Sequence, residues 1–266
     1  ATLGLVAAVL ILFHSRICAV GVVNRACVGT SFEMAAPDDT LQLQFVDSSI
    51  DAFRWQHIKP KALTYTHVAK AAGTMLMRLF PRVLPADVRW VMTPPRSTTP
   101  PCTTNPWHTP FRCIDGTRIN LNETVLLTSV RWPPALVRSW FSYLSRRRDL
   151  PGHQMVVAAG SLEELLRSGR LPPSLQSHYL KTDTSSAAEV LRSRYTGIVV
   201  VEHMELSKKL LLCQMPWLRH DELMLDVHDN EAPVADAKED ISPQLCRLLV
   251  AYLAEDIELY LEALRL

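Results

Sequence analysis

Residues 124–131, TVLLTSVR, are apolar along nearly their whole length. A strand with one face in water alternates apolar and polar side chains, whereas a strand covered on both faces reads as a near-continuous apolar run. This run therefore asks for helices above and below it. Three further strand-like runs supply neighbours: ALTYTHVAK at 62–70, VRWVMT at 88–93 and GIVVVEH at 197–203. Helical spacing fills the intervals: TMLMRLF, stopped by Pro81; ALVRSWFSYLSRRR behind Pro133 and Pro134; short helices over 161–194; and ELSKKLLLCQMPW. ELMLDV (222–227) reads as a fifth strand. The chain closes on SPQLCRLLVAYLAEDIELYLEALRL, a long amphipathic helix or helix pair capped by Ser242 with Pro243 in first position. Proline suits that first turn because its missing N–H has no partner there. Strand–helix alternation of this kind specifies an α/β domain with a central, mainly parallel sheet flanked by helices.

The 266 residues suffice for one large domain or two small ones, and 48% hydrophobic content fits a substantial core. A net charge of +1 gives no field that would gather nucleic acid, so any anion binding is local. Nine glycines against eighteen prolines favour proline-shaped loops, of which the long one from Pro94 to Pro110 is a candidate functional loop. Residues 2–13, TLGLVAAVLILF, are mainly apolar, and the apolar character resumes after HSR as ICAVGVV. A spanning helix needs roughly 20 apolar residues, and His14 and Arg16 interrupt this one. A membrane anchor incomplete at its start, a signal-peptide core and a buried helix all fit; the first two fit better, because no amphipathic pattern surrounds the run. Either places the rest of the chain in the secretory pathway. The expected organisation is a membrane or signal segment over 1–23, a stem over 24–60 and a folded domain over 61–266. Six cysteines, none in a C-x-x-C pair, suit that compartment, and Cys102 and Cys113 can bridge the loop between them. Asn122-Glu123-Thr124 is a glycosylation triplet.

Two stretches carry chemistry. In THVAKAAGTML a lysine, Lys70, precedes small residues and Gly73-Thr74, the reverse of the G-x-x-x-x-G-K-[ST] order of a nucleoside-triphosphate loop. If Gly73 opens a helix, its first N–H groups and the positive end of the helix dipole suit a phosphate. Ala71, Ala72 and Gly73 leave room for close approach, and Lys70 adds a charge at the rim. The plain alternative is a strand that ends in a solvated lysine. In VRWPPALVRSWFSY, Arg131 ends the third strand and Ser139 lies eight residues on, in the next helix. An arginine there can fork two hydrogen bonds onto a phosphate, and the serine adds a hydroxyl. Singly, Arg131 reads as an ion-pair residue and Ser139 as helix packing. Together, at the carboxyl ends of parallel strands, they suit one ligand with two phosphate groups bound across the sheet.

These stretches resemble motifs of the Golgi-type carbohydrate sulfotransferases. THVAKAAGTML is similar to their 5′-phosphosulfate loop, P-K-T-[GA]-[GS]-T-[ST]. VRWPPALVRSWFSY is similar to their 3′-phosphate motif, R-D-P-x-x-R-x-x-S-x-[FY], with Arg131, Pro133, Ser139 and Phe141 in register. GIVVVEHMELSKKLLLCQMPW resembles a later strand–glutamate–helix segment. AEDIELYLEAL resembles the terminal helix, its D-x-x-L-Y core matched by Asp256, Leu259 and Tyr260. The likeness runs from about residue 62 to 266 and is nearest to the heparan/uronyl 2-O-sulfotransferases and galactose 3-O-sulfotransferases. Departures from the pattern include Ala69 for proline, Ala71 for a hydroxyl residue, Trp132 for aspartate and Leu136 for a second arginine.

The resemblance implies a P-loop-like domain that moves the sulfuryl group of 3′-phosphoadenosine 5′-phosphosulfate to a sugar hydroxyl, with no metal and no nucleic acid involved. It implies donor contacts from Lys70, Ala71, Ala72, Gly73, Thr74, Met75, Arg131 and Ser139, with Lys70 also catalytic. His108, in NPWHTPF, matches the catalytic histidine of the 2-O-sulfotransferases, and histidine is the usual base near neutral pH. The acceptor is then a glycan on a glycoprotein, glycolipid or proteoglycan, and the setting a Golgi membrane with a lumenal catalytic domain. His67 reads as a core residue beside the loop, Glu202 as an orienting group or an alternative base, and Arg146–Arg148 as a solvated helix end or a glycan groove. A P-loop-type kinase and a non-catalytic lumenal nucleotide- or glycan-binding protein of the same fold are the alternatives.

Overall fold

The computed structural model describes residues 54–91, 108, 110–114, 120–224 and 242–266. In chain order they form α1 (Arg54–His57), β1 (Ala62–Thr66), α2 (Gly73–Val83), β2 (Arg89–Val91), β3 (Thr124–Val130), α3 (Pro133–Arg146), α4 (Gly152–Ala159), α5 (Leu162–Arg167), α6 (Ser177–Leu180), α7 (Ala187–Arg194), β4 (Gly197–Val200), α8 (Met204–Gln214), α9 (His220–Leu223), α10 (Pro243–Tyr252) and α11 (Ala254–Arg265). The four strands make one parallel sheet in the order β2-β1-β3-β4. The α/β class and the parallel sheet flanked by helices stand as the sequence predicts.

Successive strand residues face opposite ways, and the two central strands send both sets into cores. Leu63, Tyr65, Val125, Leu127 and Val199 meet α2 and α8 through Leu76, Leu79, Phe80 and Leu211. Leu126, Val130 and Val200 meet α7 and α11 through Val190, Leu191, Leu259 and Ala263. All seven residues of β3 are buried, which explains the largely apolar run. Each such leucine contributes about 1.5–3 kcal/mol of burial. Gly197 starts β4 because a Cβ there would stand 2.1 Å from Leu127 Cδ2 and 2.6 Å from Leu211 Cδ2.

Several boundaries differ from the sequence reading. β1 stops at Thr66, and residues 67–72 form a loop in which the Ala71 amide donates to the Val68 carbonyl. Lys70 therefore stands within the loop instead of ending a strand. Pro81 lies inside α2, which runs on to Val83; in the last turn proline costs one hydrogen bond without ending the helix. Glu222 and Leu223, read as strand, are helical and Met224 caps that helix, while 225–227 lie outside the described residues. Trp55, placed in the stem by the sequence, is buried in the core, and its carbonyl accepts from Trp217 Nε1 at 2.9 Å. The closing segment is a helix pair, and Ser242 caps it through the Leu245 amide at 3.1 Å. Among the described residues no helix is long and apolar enough to cross a membrane; the run at 2–23, most of the Pro94–Pro110 loop and Cys102 lie outside them. Cys113 and Cys246 are disulfide-bonded, and Asn122 is exposed.

Candidate functional site

The sheet order makes β1 and β3 neighbours whose chains cross over in opposite directions, β1 to β2 on one side and β3 to β4 on the other. Loops leaving two such strands diverge and open a crevice at their carboxyl ends. The loop 67–72 and Arg131 stand at those ends.

The loop is held from beneath. Tyr65 and Ser129, both buried, are hydrogen-bonded to each other, and Ser129 Oγ donates to the Ala71 carbonyl. Arg131 Nη1 donates to the Lys70 carbonyl at 3.2 Å. These anchors keep Lys70 (φ 65°) and Ala72 (φ 58°) in the left-handed region, which costs a non-glycine residue about 1–3 kcal/mol. Ala72 is thereby the N-cap of α2 without any side-chain cap, and no acidic residue follows in the first turn. The first helical bond runs from the Leu76 amide to the Ala72 carbonyl, at 3.1 Å. The amides of Gly73, Thr74 and Met75 therefore have no helical acceptor.

Cations gather at this helix end. Lys70 Nζ lies 4.2 Å from the centre of the Tyr143 ring. Burial, then the charges of Arg131 and Arg146, hold its ammonium below the usual lysine range. Arg131 is likewise lowered by burial, against the pull of Glu202, with Arg138 adding repulsion. Its Nε is buried without a hydrogen-bond acceptor among the described residues, Glu202 Oε1 standing 4.0 Å away. Ser139 occupies the same face of α3 as Tyr143 and Arg146, at helical spacings of four and seven. Like charges gathered around amides that have no helical acceptor suit a polyanion.

His67 and His108 form the other wall. The His108 ring centre is 4.2 Å from that of His67, and its Nδ1 donates to the His67 carbonyl at 3.2 Å. In the neutral ring that bond leaves Nε2 with its lone pair. Burial holds His108 below the usual histidine range and so favours the neutral ring, partly opposed by the same bond. The His67 ring lies over Gly73, where a Cβ would come within 1.9 Å of His67 Cδ2. Gly73→Ala is expected to destabilise the fold by about 1–3 kcal/mol, read as a lower urea midpoint. An unchanged midpoint would mean that the His67 ring moves aside without cost.

Of the residues predicted from sequence, Lys70, Ala72, Gly73, Thr74, Arg131 and His108 come together here, with Ser139 on the facing helix. Met75 also packs against the core. Ala71 is fully buried and packs in a small apolar cluster with Val68 and Leu136, so only its backbone faces the loop. Glu202 is a structural group: Oε1 accepts from the Trp132 amide at 2.9 Å and Oε2 from Tyr260 at 3.3 Å. Tyr143, absent from the sequence reading, lies under Lys70; its place four residues after Ser139 was the available signal. A groove of about 350 Å³ beside β4, lined by Ile198, Leu206, Leu210 and Leu264, contains none of these residues. Comparison with protein-family models, with curated proteins and with solved structures found no match.

Proposed function

We propose that the chain is a carbohydrate sulfotransferase with a P-loop-like donor site. The reading rests on one observation above others: Lys70, Arg131 and the uncapped start of α2 share the crevice between β1 and β3, with a neutral histidine alongside. The donor's 5′-phosphosulfate would lie on the amides of residues 73–75 under Lys70, and its 3′-phosphate toward Arg131 and Ser139. In transfer, the bond from sulfur to the bridging phosphate oxygen breaks and one from sulfur to the sugar oxygen forms. His108 Nε2 takes the hydroxyl proton, and Lys70 balances the charge left on the phosphate. Such reactions need positioning and charge stabilisation more than covalent help. The disulfides at Cys113 and Cys246 suit the secretory setting, and the glycan acceptor and Golgi membrane follow from the same reading.

The test is calorimetric titration of the full chain with 3′-phosphoadenosine 5′-phosphate, beside ATP with Mg²⁺. Micromolar binding of the bisphosphate, with ATP much weaker, is expected. Preference for ATP with Mg²⁺ would favour the kinase reading, and bisphosphate binding without turnover on any glycan would favour a binding protein.

A further inference from the structure

The end of β3 is gripped by side chains where the sheet stops. β3 ends at Val130, and the next two residues, Arg131 and Trp132, precede α3. Gln176, fully buried, closes both backbone groups of Arg131: the Arg131 amide donates to Gln176 Oε1 and Gln176 Nε2 donates to the Arg131 carbonyl, each at 2.7 Å. One side-chain amide thus stands in for a neighbouring strand. Gln176 is itself held by Asp256, also fully buried, in the first turn of α11. The carboxylate accepts from the amides of Leu175 (2.8 Å), Gln176 (3.1 Å) and Ser177 (2.8 Å), and from Ser177 Oγ (2.6 Å).

One turn along the same helix, Tyr260 donates to Glu202, which accepts from the Trp132 amide. Residues four apart lie one above the other on a helix. Two arms of α11 therefore hold two consecutive backbone units at the mouth of the crevice. The second arm has a further effect: Glu202 Oε1 stands 4.0 Å from Arg131 Nε. While Tyr260 and the Trp132 amide share its carboxylate, Glu202 does not close on the guanidinium.

From this geometry we infer that Gln176, anchored by Asp256, and Tyr260, acting through Glu202, are positioning residues that aim Arg131 at one phosphate of the donor. The inference rests on the proposed donor site. It assigns α11 a task at the site although none of its residues faces the loop 67–72. A helix serving only the core would need neither arm, since Leu259 and Ala263 already pack it on the sheet.

The test compares two probes on the full chain, 3′-phosphoadenosine 5′-phosphate and adenosine 5′-monophosphate, which lacks the phosphate assigned to Arg131. Gln176→Met keeps the volume and removes both hydrogen bonds; Tyr260→Phe removes a single hydroxyl and keeps the ring packing. The wild type should prefer the bisphosphate. Gln176→Met should cut that preference about tenfold, and Tyr260→Phe should cut it in the same direction by less. A general loosening would weaken both probes equally and leave the preference standing, as would an unaffected site; either result overturns the inference and spares the proposed function. Should Gln176→Met not fold, Tyr260→Phe decides by the same ratio. A wild type that binds neither probe overturns both.

Discussion

If the proposed sulfotransferase reading holds, Lys70→Ala is expected to lower kcat for sulfuryl transfer on the order of 10²–10³-fold while leaving the protein about as stable as the wild type. The ammonium is the mobile charge beside the amides that have no helical acceptor, and Arg131, committed to the Lys70 carbonyl, does not replace it. Stability follows another account. The charge sits among Arg131 and Arg146, partly desolvated, so the fold disfavours its protonated form. Its removal forfeits a cation–π contact with Tyr143, about 0.5–1 kcal/mol, and relieves repulsion that acts in the opposite sense.

The pH dependence has a definite sign. Because the folded pKa lies below the unfolded one, the unfolded chain binds more protons between the two values. Wild-type stability therefore rises with pH from the lowered value up to the ordinary lysine range, and Lys70→Ala lacks that rise. A bound polyanion favours the protonated lysine, so bisphosphate affinity falls over the same window. Melting curves and titrations at stepped alkaline pH read both effects. A large loss of stability with normal turnover would instead make Lys70 a packing residue on Tyr143.

What the sequence disclosed and what it hid divide along physical lines. The largely apolar run at 124–130 announced a doubly covered strand, and Pro133-Pro134 and Ser242-Pro243 announced helix starts; these signals are local, and the structure follows them. The shape of the loop was hidden. His67 and Val68 read as strand, yet the chain turns there because Ser129 and Arg131, about sixty residues away, bond the carbonyls at 71 and 70. No local preference marks Lys70 or Ala72 for the left-handed region. Departures from the sulfotransferase pattern also look different in space. Ala71 and Leu136, which stand where that pattern has polar residues, pack in one cluster, so the two departures form a single apolar contact. Trp132 meets Tyr260 edge-on with ring centres 5.4 Å apart. Sequence spacing placed Lys70 and Arg131 at two strand ends; only the strand order made those ends adjacent.

Arg131→Ala should weaken bisphosphate binding by on the order of 100-fold or more, a loss comparable in kind to that of Lys70→Ala, but with the opposite consequence for the fold. Arg131 Nη1 is what the Lys70 carbonyl bonds in the left-handed turn. Without it that carbonyl loses its donor, and Glu202 keeps its charge with no cation 4.0 Å away. A partly buried acceptor left unpaired costs up to about 1–3 kcal/mol, so the urea midpoint should fall where that of Lys70→Ala does not. Arg131→Lys separates the two duties. One ammonium can restore charge at the crevice, but it cannot reproduce the planar fork that serves the loop and a phosphate together. The lysine variant should therefore regain part of the stability and little of the affinity. Full recovery of binding in Arg131→Lys would show that charge alone suffices, and that the fork does not read the phosphate. Undiminished binding in Arg131→Ala would remove Arg131 from the donor site and leave it as the residue that locks the loop.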